Sequence, residues 1–408
     1  MLFSQSSCLS LIEDCVIMRA VIDMFAIRDR LKIEPFKEII YVTRPVFPTI
    51  EEVTEKLRDI WSAKWLTNNG PQHTMLEYEL KNFLKVPYLS LFNNGTIALM
   101  VACQSLRLSG EVITTPFTFA ATPHVLNWNN ITPIFCDLEA ETMNIDANKI
   151  ESMITPHTTA ILAVHVFGTP CDVEKIQEVA DRYGLRVVYD AAHAFGVEIN
   201  NQGVGNFGDI SMFSFHATKL YHTVEGGALV YGDKNLKPRI DLLKNFGIKN
   251  EEEVVMPGIN GKLDEIRAAI GRIVLNYVEA ERLKRIRLHE IYNEELADVE
   301  GLKLMPKCAQ NVKLNYQYYV IRIDEKIFGR SRDFVYDEFR KYNVFARKYF
   351  YPLCSEFTCY HQLNSSRVEN LPVANVIGQQ VLSLPMYGEL TEDDVRKICA
   401  ILKAIRYA

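Results

Sequence analysis

No pair of the nine cysteines has CxxC spacing and their number is odd, which argues against a disulfide framework and for a reducing compartment, the cytoplasm. A metal cluster is missing as well. The nearest approach is Cys354, Cys359 and His361, whose spacing is not a zinc pattern and which no second cluster completes. They read as loop residues, and no metal is expected. Nor is there a long Lys/Arg tract: with a net charge of -6, the chain has no general attraction for nucleic acid or anionic lipid. Apolar runs long enough to cross a bilayer are also lacking. Residues 1–39 come nearest, but Glu13, Asp14, Arg19 and Asp23 interrupt them, and the basic start of a secretory signal is absent. This segment is expected to be an N-terminal extension, disordered or ahead of a true start at Met18 or Met24, the alternative being a short amphipathic helix packed on a partner. These absences leave a small-molecule partner.

What the chain does have is material for large cores. At 408 residues and 48% hydrophobic it exceeds the roughly 250 to 300 residues at which single cores split. Two domains are expected, a large one over 40–256 and a smaller one over 257–408. From Pro48 onward, short apolar runs alternate with amphipathic helices, an α/β rhythm without internal repeats. Glu111 to Pro116, Ala160 to Phe167, Arg186 to Asp190, Ile210 to Phe215 and Ala228 to Tyr231 read as strands apolar on both faces, which belong inside a covered, mostly parallel sheet. Asp172 can cap a helix that buries Ile176, Val179, Ala180 and Tyr183 and stops at Gly184. Past Pro257-Gly258 a long charged helix, roughly Leu263 to Val299, is followed by a strand over Gln317 to Ile323. Terminal helices near Arg332 to Tyr342 and Glu392 to Tyr407 complete a smaller α+β unit.

The most specific signal is Ser214-Phe215-His216-Ala217-Thr218-Lys219 followed by Glu225-Gly226-Gly227, with Asp190 ending an earlier strand. In an open α/β sheet, ligands gather beyond the carboxyl ends of strands, where Asp190, Ser214 and Lys219 all fall. A lysine amine can bind an aldehyde covalently, and a carboxylate facing a pyridine nitrogen keeps that nitrogen protonated, so the ring accepts electrons. That combination points to pyridoxal phosphate. After Asp190, the small residues Ala191 and Ala192 leave room for a flat ring. Leu91-Phe92-Asn93-Asn94-Gly95-Thr96 runs into a helix from Ile97, so free amides and the positive helix end can seat a phosphate, an interaction worth up to about 2 kcal/mol. Taken alone, Asn-Gly before a helix is more often a simple cap.

Asn94-Gly95-Thr96, the run Thr115 to Phe119, Asp190-Ala191-Ala192-His193, the block Ser214 to Gly227 and the run Gly258 to Glu265 occur in the order found in one family. From about Tyr41 to its end the chain resembles the DegT/DnrJ/EryC1/StrS sugar aminotransferases of the aspartate aminotransferase superfamily. The resemblance implies an aspartate aminotransferase-like fold (fold type I), with a mostly parallel seven-stranded sheet and a smaller α+β C-terminal domain. It implies Lys219 as cofactor attachment point and proton shuttle, Asp190 at the ring nitrogen, His193 near the ring hydroxyl and Phe119 over the ring face. Gly95, Thr96 and Ser214 would hold phosphate, and Asn245 would reach it from the neighbouring subunit of a homodimer with shared active sites. Lys262 would meet the substrate's diphosphate, and Tyr351 and Tyr387 would line the sugar pocket. His216 and His222 are left as supporting residues. The segment Lys64 to Pro71 is similar to the branch that aminates dTDP-4-dehydro-6-deoxy-D-glucose at carbon 4 with L-glutamate as donor. Neighbouring members aminate carbon 3 or make the galacto epimer with similar motifs. A catalytically silent homologue that keeps the fold is the remaining alternative.

Overall fold

Seven apolar strands build the central sheet of the computed structural model, which describes residues 33–407. In chain order they are β1 (Tyr88–Phe92), β2 (Glu111–Thr114), β3 (Thr132–Phe135), β4 (Thr158–Val164), β5 (Arg186–Asp190), β6 (Ile210–Ser214) and β7 (Gly227–Tyr231). Side by side they lie in the order β1-β7-β6-β5-β4-β2-β3. The run from β6 to β3 is parallel, whereas β7 is antiparallel to both its neighbours. The expected mostly parallel seven-stranded sheet is present.

A sheet buried on both faces needs apolar residues at every position, and the alternation of side chains divides each strand between two cores. Val112, Leu162, Val188 and Leu229 pack on one face against Ala98, Leu99 and Ala102 of a helix over Gly95–Ser105. Their chain neighbours Ile113, Ile161 and Val187 face the other way, toward Ile176, Val179 and Ala180 of the helix Val173–Tyr183. That helix begins and ends as its sequence dictates: Asp172 accepts from the Lys175 amide at 3.1 Å, and Gly184 closes it at φ 66°. Only a residue without a Cβ adopts that left-handed angle at little cost.

The C-terminal part holds three antiparallel strands, β8 (Leu302–Leu304), β9 (Tyr319–Ile323) and β10 (Val381–Leu384), with β9 in the middle. The single helix expected over Leu263 to Val299 is two helices, Glu265–Leu275 and Val278–Leu296. Most of the second helix serves a different core from the first. Ala268, Val274 and Val278 join the cluster beside the large sheet, while Leu288, Ile291, Tyr292 and Leu296 pack on the antiparallel strands.

Of the expected N-terminal extension, residues 1–32 lie outside the described residues. Residues 33–39 are docked: Phe36 is buried in the C-terminal cluster, and its amide donates to the Tyr342 carbonyl at 3.1 Å. Ile40–Tyr41 then pairs in parallel with Val344–Phe345. Among the described residues, no helix is long and apolar enough to cross a membrane.

Candidate active site

Strand β5 ends on Asp190 and β6 on Ser214, with Asp190 opposite Met212 in the parallel register, so the two strand ends open at one edge of the sheet. Beyond that edge lies a cavity of about 270 Å³. Gly95, Thr96, Phe119, Asp190, His193, Ser214 and Lys219 all line it. Of the residues assigned to the cofactor from sequence, only Asn245 does not.

Asp190 is buried, and burial raises its pKa. Two donors work against that: the Ala192 amide reaches Oδ1 at 3.0 Å and the Thr122 hydroxyl reaches Oδ2 at 2.8 Å, while the Lys219 charge also favours the anion. Thr122 in turn meets Thr118 at 2.9 Å. Sequence reading missed Thr122, because a threonine in a first helical turn looks like a local cap. His193 accepts from the Phe167 amide through Nδ1 at 3.3 Å, and burial, reinforced by Lys219, pulls its pKa well below the usual value. It is therefore neutral, with its proton on Nε2.

The imidazole is held in an aromatic box. It lies parallel to Phe350 at 5.6 Å and to Phe167 at 6.3 Å, with Tyr318 edge-on at 5.0 Å. Tyr318, Tyr349 and Phe350 all line the cavity. The expectation named Tyr351 and Tyr387 for the sugar pocket, and the structure places both rings outside the lining of this cavity. Tyr351 stacks on the buried Arg332 guanidinium, 4.8 Å from the ring centroid, and Tyr387 is itself buried beneath Arg44 at 5.4 Å. Neither ring lines the cavity.

The helix Gly95–Ser105 points its N-terminus into the same space, capped by Asn94, which accepts from the Ile97 amide at 2.8 Å. A Cβ on Gly95 would come within 3.0 Å of Met212 Sδ and 3.2 Å of Ser214 Cβ, and one on Gly227 would stand 2.7 Å from the Gly95 nitrogen. The glycines thus let three backbone segments converge beneath the helix end, where an anion can meet amides at close range. Among the described residues, Lys219 Nζ has one hydrogen-bond partner, the Tyr318 hydroxyl at 3.4 Å. His216, on the rim, faces Glu225 at 3.5 Å and Thr218 at 2.8 Å, whereas His222 is engaged with the Val46 carbonyl at 2.7 Å. An amine for the aldehyde, a buried carboxylate for the ring nitrogen, a neutral imidazole and a helix end for phosphate make a donor set that fits pyridoxal phosphate. Among the described residues, no group of three His, Cys, Asp or Glu side chains is placed to hold a metal ion.

Asn245 and Lys262 are joined elsewhere. Lys262 Nζ donates to Asn245 Oδ1 at 2.7 Å and lies 5.1 Å above the Phe246 ring. They border a second, open concavity of about 510 Å³ shared with Asn68, Asn69, Lys244 and Lys249.

Known proteins agree with this arrangement along nearly the whole chain. The sequence profile described as the DegT/DnrJ/EryC1/StrS aminotransferase family matches residues 49–403. Over 364 residues the chain is 48% identical to a dTDP-4-amino-4,6-dideoxy-D-glucose transaminase of Escherichia coli, a match covering 88% of this chain and 97% of that one. A protein of the same name from Shigella dysenteriae is 44% identical over 367 residues, covering 90% and 99%. Among solved structures, DesI in the presence of its TDP-sugar product superposes with a TM-score of 0.86 at 34% identity, covering 91% of this chain and 93% of that one. Fold, site and sequence therefore converge, and the chain belongs to the DegT/DnrJ/EryC1/StrS aminotransferase family.

Proposed function

We propose that this protein is a pyridoxal-phosphate-dependent aminotransferase that moves the amine of L-glutamate onto dTDP-4-dehydro-6-deoxy-D-glucose, giving dTDP-4-amino-4,6-dideoxy-D-glucose and 2-oxoglutarate. The observation that carries the reading is the convergence of the Lys219 amine and the buried Asp190 carboxylate on one cavity, in a chain 48% identical to the Escherichia coli transaminase. When bound, pyridoxal phosphate supplies an aldehyde that ferries the amine and a ring that accepts the electron pair. The protein does the rest. Lys219 anchors the cofactor and, once free, carries a proton to and from the carbon that gains or loses the amine, a role worth about 100- to 10,000-fold in rate. Asp190, held by Thr122 and Ala192, opposes the positive ring nitrogen. His193 offers a neutral N–H to the ring hydroxyl, and Phe119 covers the exposed face. Gly95, Thr96 and Ser214 seat the phosphate.

Asn245 and Lys262 act in this reading from a second copy of the chain, Asn245 on the phosphate and Lys262 on the diphosphate of the nucleotide sugar. That places two shared sites in a homodimer. Tyr349 and Phe350 take the sugar-facing role first given to Tyr351 and Tyr387. The buried thiols Cys103, Cys136, Cys171, Cys354 and Cys399 suit a cytoplasmic setting. The test is incubation with the keto-sugar nucleotide and L-glutamate, followed by NMR of the product. An equatorial amine at carbon 4 is expected. An axial amine, or one at carbon 3, overturns the substrate assignment while sparing the aminotransferase.

A further inference from the structure

Lysine carries its amine on a long, freely rotating stem, so an amine released from a covalent link needs a partner to stay where the chemistry requires it. Here the partner is Tyr318. Its hydroxyl stands 3.4 Å from Lys219 Nζ, and among the described residues no other side chain offers that nitrogen a hydrogen bond. A phenol accepts from an ammonium and donates to a neutral amine, so one hydroxyl serves Lys219 in both protonation states. The ring is fixed by edge-on contacts with His193 at 5.0 Å, Phe167 at 5.5 Å and Tyr349 at 6.1 Å.

The backbone beneath the ring is fixed too. Gln317, next in the chain, uses its side-chain oxygen to accept from the Leu220 amide at 3.2 Å, which staples the segment bearing Tyr318 to the turn bearing Lys219. The Gln317 carbonyl accepts from the fully buried Arg285 at 3.3 Å, and Arg285 is paired with Glu281, which also accepts from the Gly388 amide at 2.8 Å. A buried ion pair is costly to desolvate and is tolerated where its geometry is well satisfied. This one joins the helix Val278–Leu296 to the cavity wall.

We propose that Tyr318 is the positioning residue for the Lys219 amine, held in place by Gln317 and Arg285. The proposal rests on the transaminase reading. Tyr318→Phe removes the hydroxyl and keeps the ring contacts, so a purely structural role leaves it silent. In the holoenzyme, kcat is expected to fall about 10- to 100-fold, the loss typical of a misplaced reacting group, while KM for both substrates stays within about twofold. The solvent deuterium isotope effect should rise as proton transfer becomes limiting, and bound-cofactor absorbance should not change. Gln317→Leu, which cuts the staple alone, should lower kcat less. A Tyr318→Phe enzyme with unaltered kcat and isotope effect overturns the proposal, as does a change confined to KM, which would make Tyr318 a substrate contact. Borohydride reduction of the wild type separates the two failures. If no cofactor is fixed at position 219, the transaminase reading falls and this inference with it; if it is fixed, the Tyr318 result stands by itself.

Discussion

The Lys219 cavity and the Asn245–Lys262 concavity are both polar hollows, yet they are finished to different degrees. In the first, each titratable group named for the cofactor meets a partner of its own chain: Asp190 has Thr122 and Ala192, His193 has Phe167, and Lys219 has Tyr318. In the second, the Lys262 and Asn245 side chains bond each other and Lys262 lies over an aromatic ring, beside Phe246, Ile248 and Val254, which lie exposed. Exposed apolar side chains clustered around a polar pair are what a protein interface looks like before its partner arrives. The comparison teaches that one chain brings Lys219 and Asp190 together by itself, and that the proposed homodimer asks the second hollow to be completed by a second copy.

The largest effect expected from breaking the first hollow is Lys219→Ala. Turnover should be lost, by about 10,000-fold or more given the typical contribution of a positioned proton carrier together with loss of the covalent anchor. Borohydride should then fix no cofactor, and thermal unfolding should be little altered because the side chain is only half-buried. Next comes Asp190→Asn, expected to cost about 100- to 1000-fold in kcat, as for removal of one preorganised electrostatic group. This variant also has a pH signature. Burial raises the Asp190 pKa in the folded, cofactor-free protein, so the neutral acid favours folding at low pH and that contribution is lost as pH rises through the folded pKa. Cofactor-free Asp190→Asn should therefore be more stable than the wild type at neutral pH, with the gap closing in acid. Thermal melts across pH check this; a variant less stable at neutral pH would show that the carboxylate's hydrogen bonds outweigh its burial.

Breaking the second hollow should weaken cofactor binding without touching the first. Asn245→Ala removes one hydrogen bond to a charged group, worth about 10- to 100-fold in affinity at most. The sharper experiment mixes inactive Lys219→Ala with Asn245→Ala, at a cofactor concentration too low to load the Asn245→Ala sites, under conditions where subunits exchange. If each site takes Lys219 from one copy and Asn245 from the other, half of the mixed dimers' sites are intact and about a quarter of wild-type activity returns. No recovery would place Asn245 in service of its own chain.

The same contrast governs what could be read from the chain in advance. Asp190, Ser214 and Lys219 were legible because Asp190 and Ser214 end adjacent parallel strands and Lys219 lies just beyond the second, and a strand end followed by small or polar residues is a local pattern. The boundaries of the helix Val173–Tyr183 were legible for the same reason, since Asp172 and Gly184 act on amides within a turn of themselves. Thr122 was not, because its partner Asp190 lies 68 residues away and nothing local records the contact. The break between Leu275 and Val278 escaped as well: continuous helical patterning does not reveal that its two halves are buried against different cores. The wall formed by Tyr318, Tyr349 and Phe350 depends on how the C-terminal part docks, which no short motif encodes.

Tyr351 gives the smallest effect and the finest test of that docking. Two residues beyond the cavity-lining Tyr349, its ring lies over the Arg332 guanidinium, whose Nε donates to Asp333 and whose Nη1 donates to the carbonyls of Gly378 and Val381. A cation over an aromatic face is worth about 0.5 to 2 kcal/mol, and phenylalanine preserves most of it. Tyr351→Phe should therefore leave kcat and both KM values within about twofold, the range of a surface substitution with its packing kept. Tyr351→Ala should lower thermal stability more than activity, because it uncovers a buried arginine without touching the wall formed by Tyr318, Tyr349 and Phe350. A selective rise in the KM for the keto-sugar in Tyr351→Phe would mean that the loop turns this hydroxyl into the cavity when substrate binds, and the boundary drawn between the two sets of tyrosines would have to move.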